Sequence, residues 1–387
     1  MPEVEILPFV RPTIDPEDLA AVNQVLNSGW ITTGPKAREF EQALVAYLTA
    51  ESGQKQQAIE VRVFNSGTSA LEAAVIAAGI GPGDEVIVPA MSFVATANVV
   101  VRVGARPVFV DVDLYSRNIT AEAIENAITP KTKAIMPVHF AGLAVDMAPI
   151  EALAEKYGLR VIEDAAHAIG TRYNDRLIGS QGDIICFSFH PNKNMTTIEG
   201  GAIACFDANL VKRLESIRFH GIERDEQGNM EVSEWGGKMN LPDVNAALGI
   251  SQLTKLDAFN AYRSRLADVY LEHLPKHESL LPPAKGVGHS WHIFAVLIDF
   301  AQLGTNRHEF QQRLQGRGIG SGYHYPAMHL FKLYRQYGYK EGDFPAAERI
   351  GAQTLTLPLF PAMSNDDVTR VCAGLNDVLE EYRRAGA

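Results

Sequence analysis

The chain has 387 residues, 46% of them hydrophobic and 21% charged, with a formal net charge of −11. That length allows about two domains and a large core, and the composition is that of an ordinary soluble globular protein. No Lys/Arg run could follow a phosphodiester backbone, which argues against nucleic acid, and the most apolar run, residues 86–101, is too short and too polar to enter a bilayer. Cys186, Cys205 and Cys372 are few and far apart, so they read as small core hydrophobes in a reducing compartment, with neither a disulfide framework nor a metal site. The acidic start (Glu3, Glu5, Asp15, Glu17, Asp18) is unlike a signal peptide, and a cytoplasmic protein is expected.

Residues 1–15 read as extended. Asp15-Pro16 then marks an N-cap with proline at the first helical position, opening a helix to about Leu26. A turn-rich loop carrying Trp30 leads to a second helix, about Lys36–Thr49, whose apolar face is Phe40, Leu44, Val45 and Leu48. From Val61 the pattern alternates. Strands are expected at 61–64, 85–88, 107–111, 134–138, 160–163 and 184–189, with helices at 70–78, 95–103, 121–128 and 147–157. Such alternation predicts an α/β fold with a mostly parallel sheet covered by helices on both faces, and ligands collect at the C-terminal ends of such strands. After about residue 250 the texture changes. One long helix is expected over Ile250–Leu271, then a smaller α+β region with strands at 291–299 and 318–324, and a closing helix from Asp366 to Arg384. The expected division is a large domain over 1–250 and a smaller one over 251–387.

The polar residues that follow the strands are the candidates for chemistry. Ser66-Gly-Thr-Ser69 lies between a strand and a helix start, where backbone N–H groups and hydroxyls suit an anion but serve equally as ordinary N-caps. Glu163-Asp164-Ala-Ala-His167 ends a buried strand with two carboxylates, which need partners there. Asp164 is open to two readings: a cap with an ion pair, or the acid that keeps a pyridinium nitrogen protonated. Lys193 sits on a turn between the strands 184–189 and 202–205. A lysine confined there loses its proton easily and can attack a carbonyl, whereas read locally it is first a solvated loop charge. Gly79-Ile-Gly-Pro-Gly83 follows a helix and precedes a strand, the reverse of a dinucleotide loop, and reads as a helix C-terminal turn. The pairs His273/His277 and His289/His292 lack a third-ligand motif, so no metal is expected.

Taken together, Asn65-Ser-Gly-Thr-Ser-Ala-Leu71, Asp164-Ala-Ala-His167, Ser188-Phe-His-Pro-Asn-Lys193 with Glu199-Gly-Gly201, and Gly237-Lys-Met-Asn240-Leu-Pro-Asp243 resemble the sugar-nucleotide aminotransferases of the DegT/DnrJ/StrS type, in the family's order and over nearly the whole chain. Within the family, Ser28-Gly-Trp-Ile-Thr-Thr-Gly-Pro-Lys36, Pro137-Val-His-Phe-Ala-Gly142 and Ser290-Trp-His-Ile-Phe294 are most similar to the enzymes that form UDP-4-amino-4-deoxy-L-arabinose for lipid A modification and polymyxin resistance. The segment Tyr323–His329 departs from that subfamily's pattern.

The resemblance implies a pyridoxal 5'-phosphate (PLP) enzyme of fold type I, a homodimer with shared active sites. It would move an amino group from L-glutamate, released as 2-oxoglutarate, to a keto-sugar nucleotide. Carried onto this chain, Lys193 would form the Schiff base with the cofactor. Asp164 would pair with its ring nitrogen, His167 would lie near its hydroxyl, and Phe93 would stack on the ring. Thr68, Ser69 and Ser188 would hold the phosphate, with Asn240 reaching in from the other subunit, and Trp30 and His329 would belong to the nucleotide-sugar pocket. A related aminotransferase for another keto-sugar, such as a 4-keto-6-deoxyhexose, is the alternative. A dehydratase of the same scaffold would carry histidine at Lys193, and a non-catalytic regulator would not need the set Lys193, Asp164 and His167.

Overall fold

The computed structural model describes residues 6–50 and 59–385; the first five residues of the segment read as extended lie outside them. The chain opens with α1 (Pro16–Ser28) and α2 (Pro35–Thr49). Asp15 caps α1 by accepting from the N–H groups of Glu17 and Asp18, while Asp18 reaches back to the Asp15 N–H, a reciprocal box that fixes the helix start. The N-cap of α2 is Gly34, which has no side chain to offer; the buried carboxylate of Asp243 serves instead, accepting from the N–H groups of Gly34 (2.7 Å), Lys36 (3.0 Å) and Ala37 (2.9 Å).

The central sheet has seven strands: β1 (Glu60–Phe64), β2 (Glu85–Pro89), β3 (Arg106–Val110), β4 (Thr132–Ile135), β5 (Arg160–Asp164), β6 (Ile184–Ser188) and β7 (Gly201–Cys205). Their spatial order is β1-β7-β6-β5-β4-β2-β3. β7 is antiparallel to both of its neighbours, and the pairs β6–β5, β5–β4, β4–β2 and β2–β3 are parallel. All five residues of β6 are buried, as a strand covered on both faces requires. Along it the side chains divide by parity. Ile184 and Cys186 join the core under α3 (Gly67–Ala77), whereas Ile185 and Phe187 join the core under α2 with Phe40 and Leu44. The three cysteines are buried and free. Gly79 and Gly83 have φ of +74° and +94°, the left-handed turn expected after a helix.

The long helix expected over Ile250–Leu271 is instead two, α4 (Asp243–Leu253) and α5 (Leu256–His273). No glycine or proline marks the break. Leu253 and Leu256 both pack on the α2 core, whereas Leu266, Ala267 and Tyr270 farther along belong to the core of the C-terminal region, so the chain must change direction between the two. Lys255 at the corner is pinned by Asp15 (2.6 Å) and Asp18 (2.8 Å). The C-terminal region builds a three-stranded antiparallel sheet from Leu280–Leu281, Phe294–Ile298 and Thr354–Leu357. The strand expected from Trp291 starts later because Trp291 adopts φ +48°. The segment 318–324 forms only isolated bridges, Ile319 to Leu7 and Gly322 to Thr356, so the N-terminal extended residues pair with this region. Among the described residues no helix is long and apolar enough to cross a membrane, and no group of three or more His, Cys, Asp or Glu is placed to hold a metal ion.

Candidate active site

Four strand ends converge on one cavity of about 270 Å³. After β1, Ser66 caps α3: its Oγ accepts from the Ser69 N–H (3.0 Å) and donates to Ser69 Oγ (3.0 Å), leaving the first turn's Gly67 and Thr68 on the cavity wall. After β2 comes Phe93, half-exposed at the cavity mouth. Asp164 and His167 follow β5, and Ser188 closes β6. The approach of α3 to β6 is close. A Cβ on Gly67 would lie 2.7 Å from Ser188 Cβ, and one on Gly201 would lie 2.5 Å from the Ser66 carbonyl oxygen. Only glycines let the helix N-terminus and the Ser188 hydroxyl face the same space.

Lys193 reaches the cavity from a fixed turn. Its N–H donates to His190 O (2.8 Å), and the turn is closed by Phe189 N–H to Gly200 O (2.8 Å) and Thr197 N–H to Phe189 O (3.0 Å). The side chain touches solvent through the cavity, yet its ammonium is enclosed by protein. Burial lowers its pKa from 10.5 to about 8, against the opposing attraction of Asp164. Asp164 is itself buried. Its Oδ2 accepts from Thr96 Oγ1 (2.8 Å) and its Oδ1 from the Ala166 N–H (3.2 Å). Burial raises its pKa, while those two bonds and the nearby Lys193 pull it down. His167 accepts at Nδ1 from the Ala141 N–H (3.2 Å), so in the neutral ring Nε2 carries the proton; Nε2 lies 3.3 Å from Tyr325 Oη. Burial holds the His167 pKa well below its usual value, with the charges of Lys193 and His324 adding to the effect.

Of the residues singled out in the sequence, Thr68, Phe93, Asp164, His167, Ser188 and Lys193 are brought together on this cavity. Ser69 stands behind Ser66 in the capping turn. Asn240 and Trp30 do not line the cavity of the same chain. Both gather around Thr33: Asn240 Nδ2 donates to Thr33 Oγ1, and Trp30 Nε1 donates to the Thr33 carbonyl (3.4 Å). Asn240 Oδ1 is buried without a partner and Trp30 is exposed. His329, expected in the nucleotide-sugar pocket, is interior instead. It is fully buried, bonded through Nε2 to Glu348 (3.0 Å) and packed edge-on against Phe344, which removes it from any ligand surface. Thr96 was not singled out in the sequence, and Tyr325 only as part of the divergent segment Tyr323–His329. Thr96, one turn beyond Phe93, holds Asp164; Tyr325 enters the cavity from the C-terminal region, its loop tied to the end of β2 by Met328 N–H to Ala90 O (2.7 Å). Thr96 could have been found as the second polar side chain after the β2 end, following Ser92, whose Oγ lies 2.9 Å from Thr96 Oγ1.

The residues fit pyridoxal phosphate on the geometry alone. A helix N-terminus with Thr68 and Ser188 suits the phosphate, the buried Asp164 suits a protonated ring nitrogen, Phe93 offers a ring face, and Lys193 stands within the same cavity.

The profile of the DegT/DnrJ/EryC1/StrS aminotransferase family matches residues 12–376. Among solved structures, the chain is similar to PseC of Helicobacter pylori, an aminotransferase involved in the biosynthesis of pseudoaminic acid (29% identity, 97% of this chain and 100% of that one, TM-score 0.89). It is likewise similar to DesV of S. venezuelae in complex with a ketimine intermediate (33%, 97% and 99%, 0.87), and to NtdA of Bacillus subtilis with bound cofactor PMP (32%, 98% and 86%, 0.86).

Proposed function

Because the chain belongs to the DegT/DnrJ/EryC1/StrS aminotransferase family and is a PLP-dependent sugar aminotransferase, we propose that it transfers the amino group of L-glutamate to the 4-keto carbon of a UDP-linked pentose. The product would be UDP-4-amino-4-deoxy-L-arabinose, made in the cytoplasm for lipid A modification and, through it, polymyxin resistance. The observation that carries the catalytic part is the convergence of Lys193, Asp164 and His167 on one cavity opposite Ser66–Thr68 and Ser188. The sugar assignment is supported by the sequence stretches at 28–36, 137–142 and 290–294.

The bound cofactor supplies an electron sink for the bond to hydrogen at the donor's Cα. The chain does the rest. Asp164, buried and braced by Thr96, would set a carboxylate against the ring nitrogen. His167 would donate from Nε2–H to the cofactor's hydroxyl, and the α3 N-terminus with Thr68 and Ser188, backed by Ser69, would hold the phosphate. Lys193 would hold the cofactor between turnovers and, once free, would take the proton from the donor's Cα as a base and give it up again as an acid. Its lowered pKa keeps an appreciable neutral fraction near neutral pH. Two half-reactions on one site give ping-pong kinetics. A homodimer is part of this reading: the unpartnered Asn240 Oδ1 and the exposed Trp30 are then placed to serve the partner subunit's site.

A second reading, amination of another keto-sugar nucleotide, is favoured by the similarity to PseC along almost the whole of both chains and by the divergent segment Tyr323–His329. The visible spectrum of purified protein separates the two. L-glutamate bleaches the cofactor band; recovery with UDP-4-keto-pentose and not with a dTDP-4-keto-6-deoxyhexose supports the first reading. Recovery with the hexose alone refutes it and supports the second.

A further inference from the structure

His167 is held from a side that the proposed chemistry does not use. Its ring packs on the buried ring of His292, with centroids 4.3 Å apart. His292 is fixed in turn by Asn194, the residue after Lys193. The Asn194 amide donates from Nδ2 to Asn260 Oδ1 (2.7 Å) and to Ser290 O (2.8 Å), so only Oδ1 is left to face His292 Nδ1 (3.2 Å). An acceptor there places the His292 proton on Nδ1. The backbone closes a second link. The His292 N–H donates to Ala141 O (2.9 Å), and the Ala141 N–H donates to His167 Nδ1. Arg263, buried beneath, donates to His292 O (3.2 Å). Ring and backbone of one residue therefore brace both the face and the Nδ1 edge of His167.

We propose that His292, anchored by Asn194, is a positioning residue that fixes the His167 imidazole as an Nε2–H donor toward the cavity and ties its orientation to the loop carrying Lys193. The proposal rests on the reading that His167 faces the cofactor. Lys193, His324 and Arg263 are the cationic or titratable groups around the two rings, with Tyr325 at the His167 Nε2 edge. Burial and those neighbours keep both rings neutral, as the shared geometry requires.

Two measurements test it. In cofactor-free protein, ¹⁵N NMR of the histidine rings, with His167→Ala identifying the signal, shows His167 as a single Nε2–H tautomer. In His292→Ala and Asn194→Ala the signal averages toward both tautomers, whereas His292→Phe, which keeps the ring contact, stays closer to wild type. An unchanged His167 signal in His292→Ala overturns the proposal whatever the enzyme's substrate proves to be. In the loaded enzyme, His292→Ala slows the L-glutamate half-reaction about 10–100-fold, as loss of a bracing contact does. It has little further effect in the His167→Ala background, because the two act through one group. Additive losses mean that His292 acts independently of His167, and also overturn it. Failure of wild-type protein to react with glutamate would count against the functional reading and leave the tautomer result to decide the positioning role.

Discussion

Replacing Lys193 by methionine should make the cofactor-free protein more stable at neutral pH. The ammonium of Lys193 is enclosed with little compensation, and its pKa falls from 10.5 to about 8. At roughly 1.4 kcal/mol per pKa unit, that is a penalty of about 3 kcal/mol on the charged form in the folded state. The side chain faces an open cavity whose water screens part of this, so a gain of about 1–3 kcal/mol is expected from an apolar side chain of similar length. The pH dependence identifies the cause. The folded-state pKa lies below the unfolded one, so between about 8 and 10.5 the unfolded chain binds more protons and stability rises with pH. Below about 8 the penalty is fully present; above about 10.5 it is gone. Paired chemical denaturation of Lys193→Met and the parent, both stripped of cofactor, should show the mutant ahead at pH 7 and the curves converging near pH 10.5. A mutant equal or inferior at pH 7, or a difference that ignores pH, would show that the lysine is solvated and the argument for its reactivity wrong.

Other perturbations probe the rest of the site and its supports. Gly67→Ala forces a Cβ within 2.7 Å of Ser188 Cβ, so cofactor affinity should fall at least about tenfold by equilibrium titration while the helical signal is kept, each tenfold being about 1.4 kcal/mol. Asp164→Asn keeps the shape but removes the charge that holds a ring nitrogen protonated; the glutamate half-reaction, followed by stopped-flow absorbance, should slow about a hundredfold or more. Asp243→Ala strands the N–H groups of Gly34, Lys36 and Ala37. At about 1–3 kcal/mol for each of the two buried donors, Gly34 and Ala37, it should cost about 2–6 kcal/mol in denaturation, and a loss under 0.5 kcal/mol would mean that water replaces the carboxylate.

The alternation of strands and helices from Val61 onward was legible because central strands such as Ile184–Ser188 are continuous apolar runs bounded by turns, and the residues after them, Ser66–Thr68, Asp164, Ser188 and Lys193, fell where such a sheet puts its ligands. What escaped depended on distant packing. The break between α4 and α5 has no glycine or proline to announce it and follows from two cores that pull Leu256 and Leu266 in different directions. The resemblance put His329 in the nucleotide-sugar pocket, and its burial escaped because it depends on Phe344 and Glu348, fifteen and nineteen residues on.

The same distinction bears on how the site is divided between the two regions of the chain. The strand ends of the large sheet supply the charged and hydroxyl groups, which local sequence can advertise. The rings that meet His167, the half-buried Tyr325 and the buried His292, come from the C-terminal half, more than 120 residues after it. Their loops are tied to the large sheet by backbone bonds, Met328 N–H to Ala90 O and His292 N–H to Ala141 O, so a shift of the C-terminal region would move both rings against His167 while Asp164 and Ser188 stayed with their strands. Substitutions along those two ties, remote from Lys193, should therefore disturb the His167 ring before they disturb the residues placed to hold phosphate. That makes the ties the natural place to look for changes that alter turnover while cofactor remains bound.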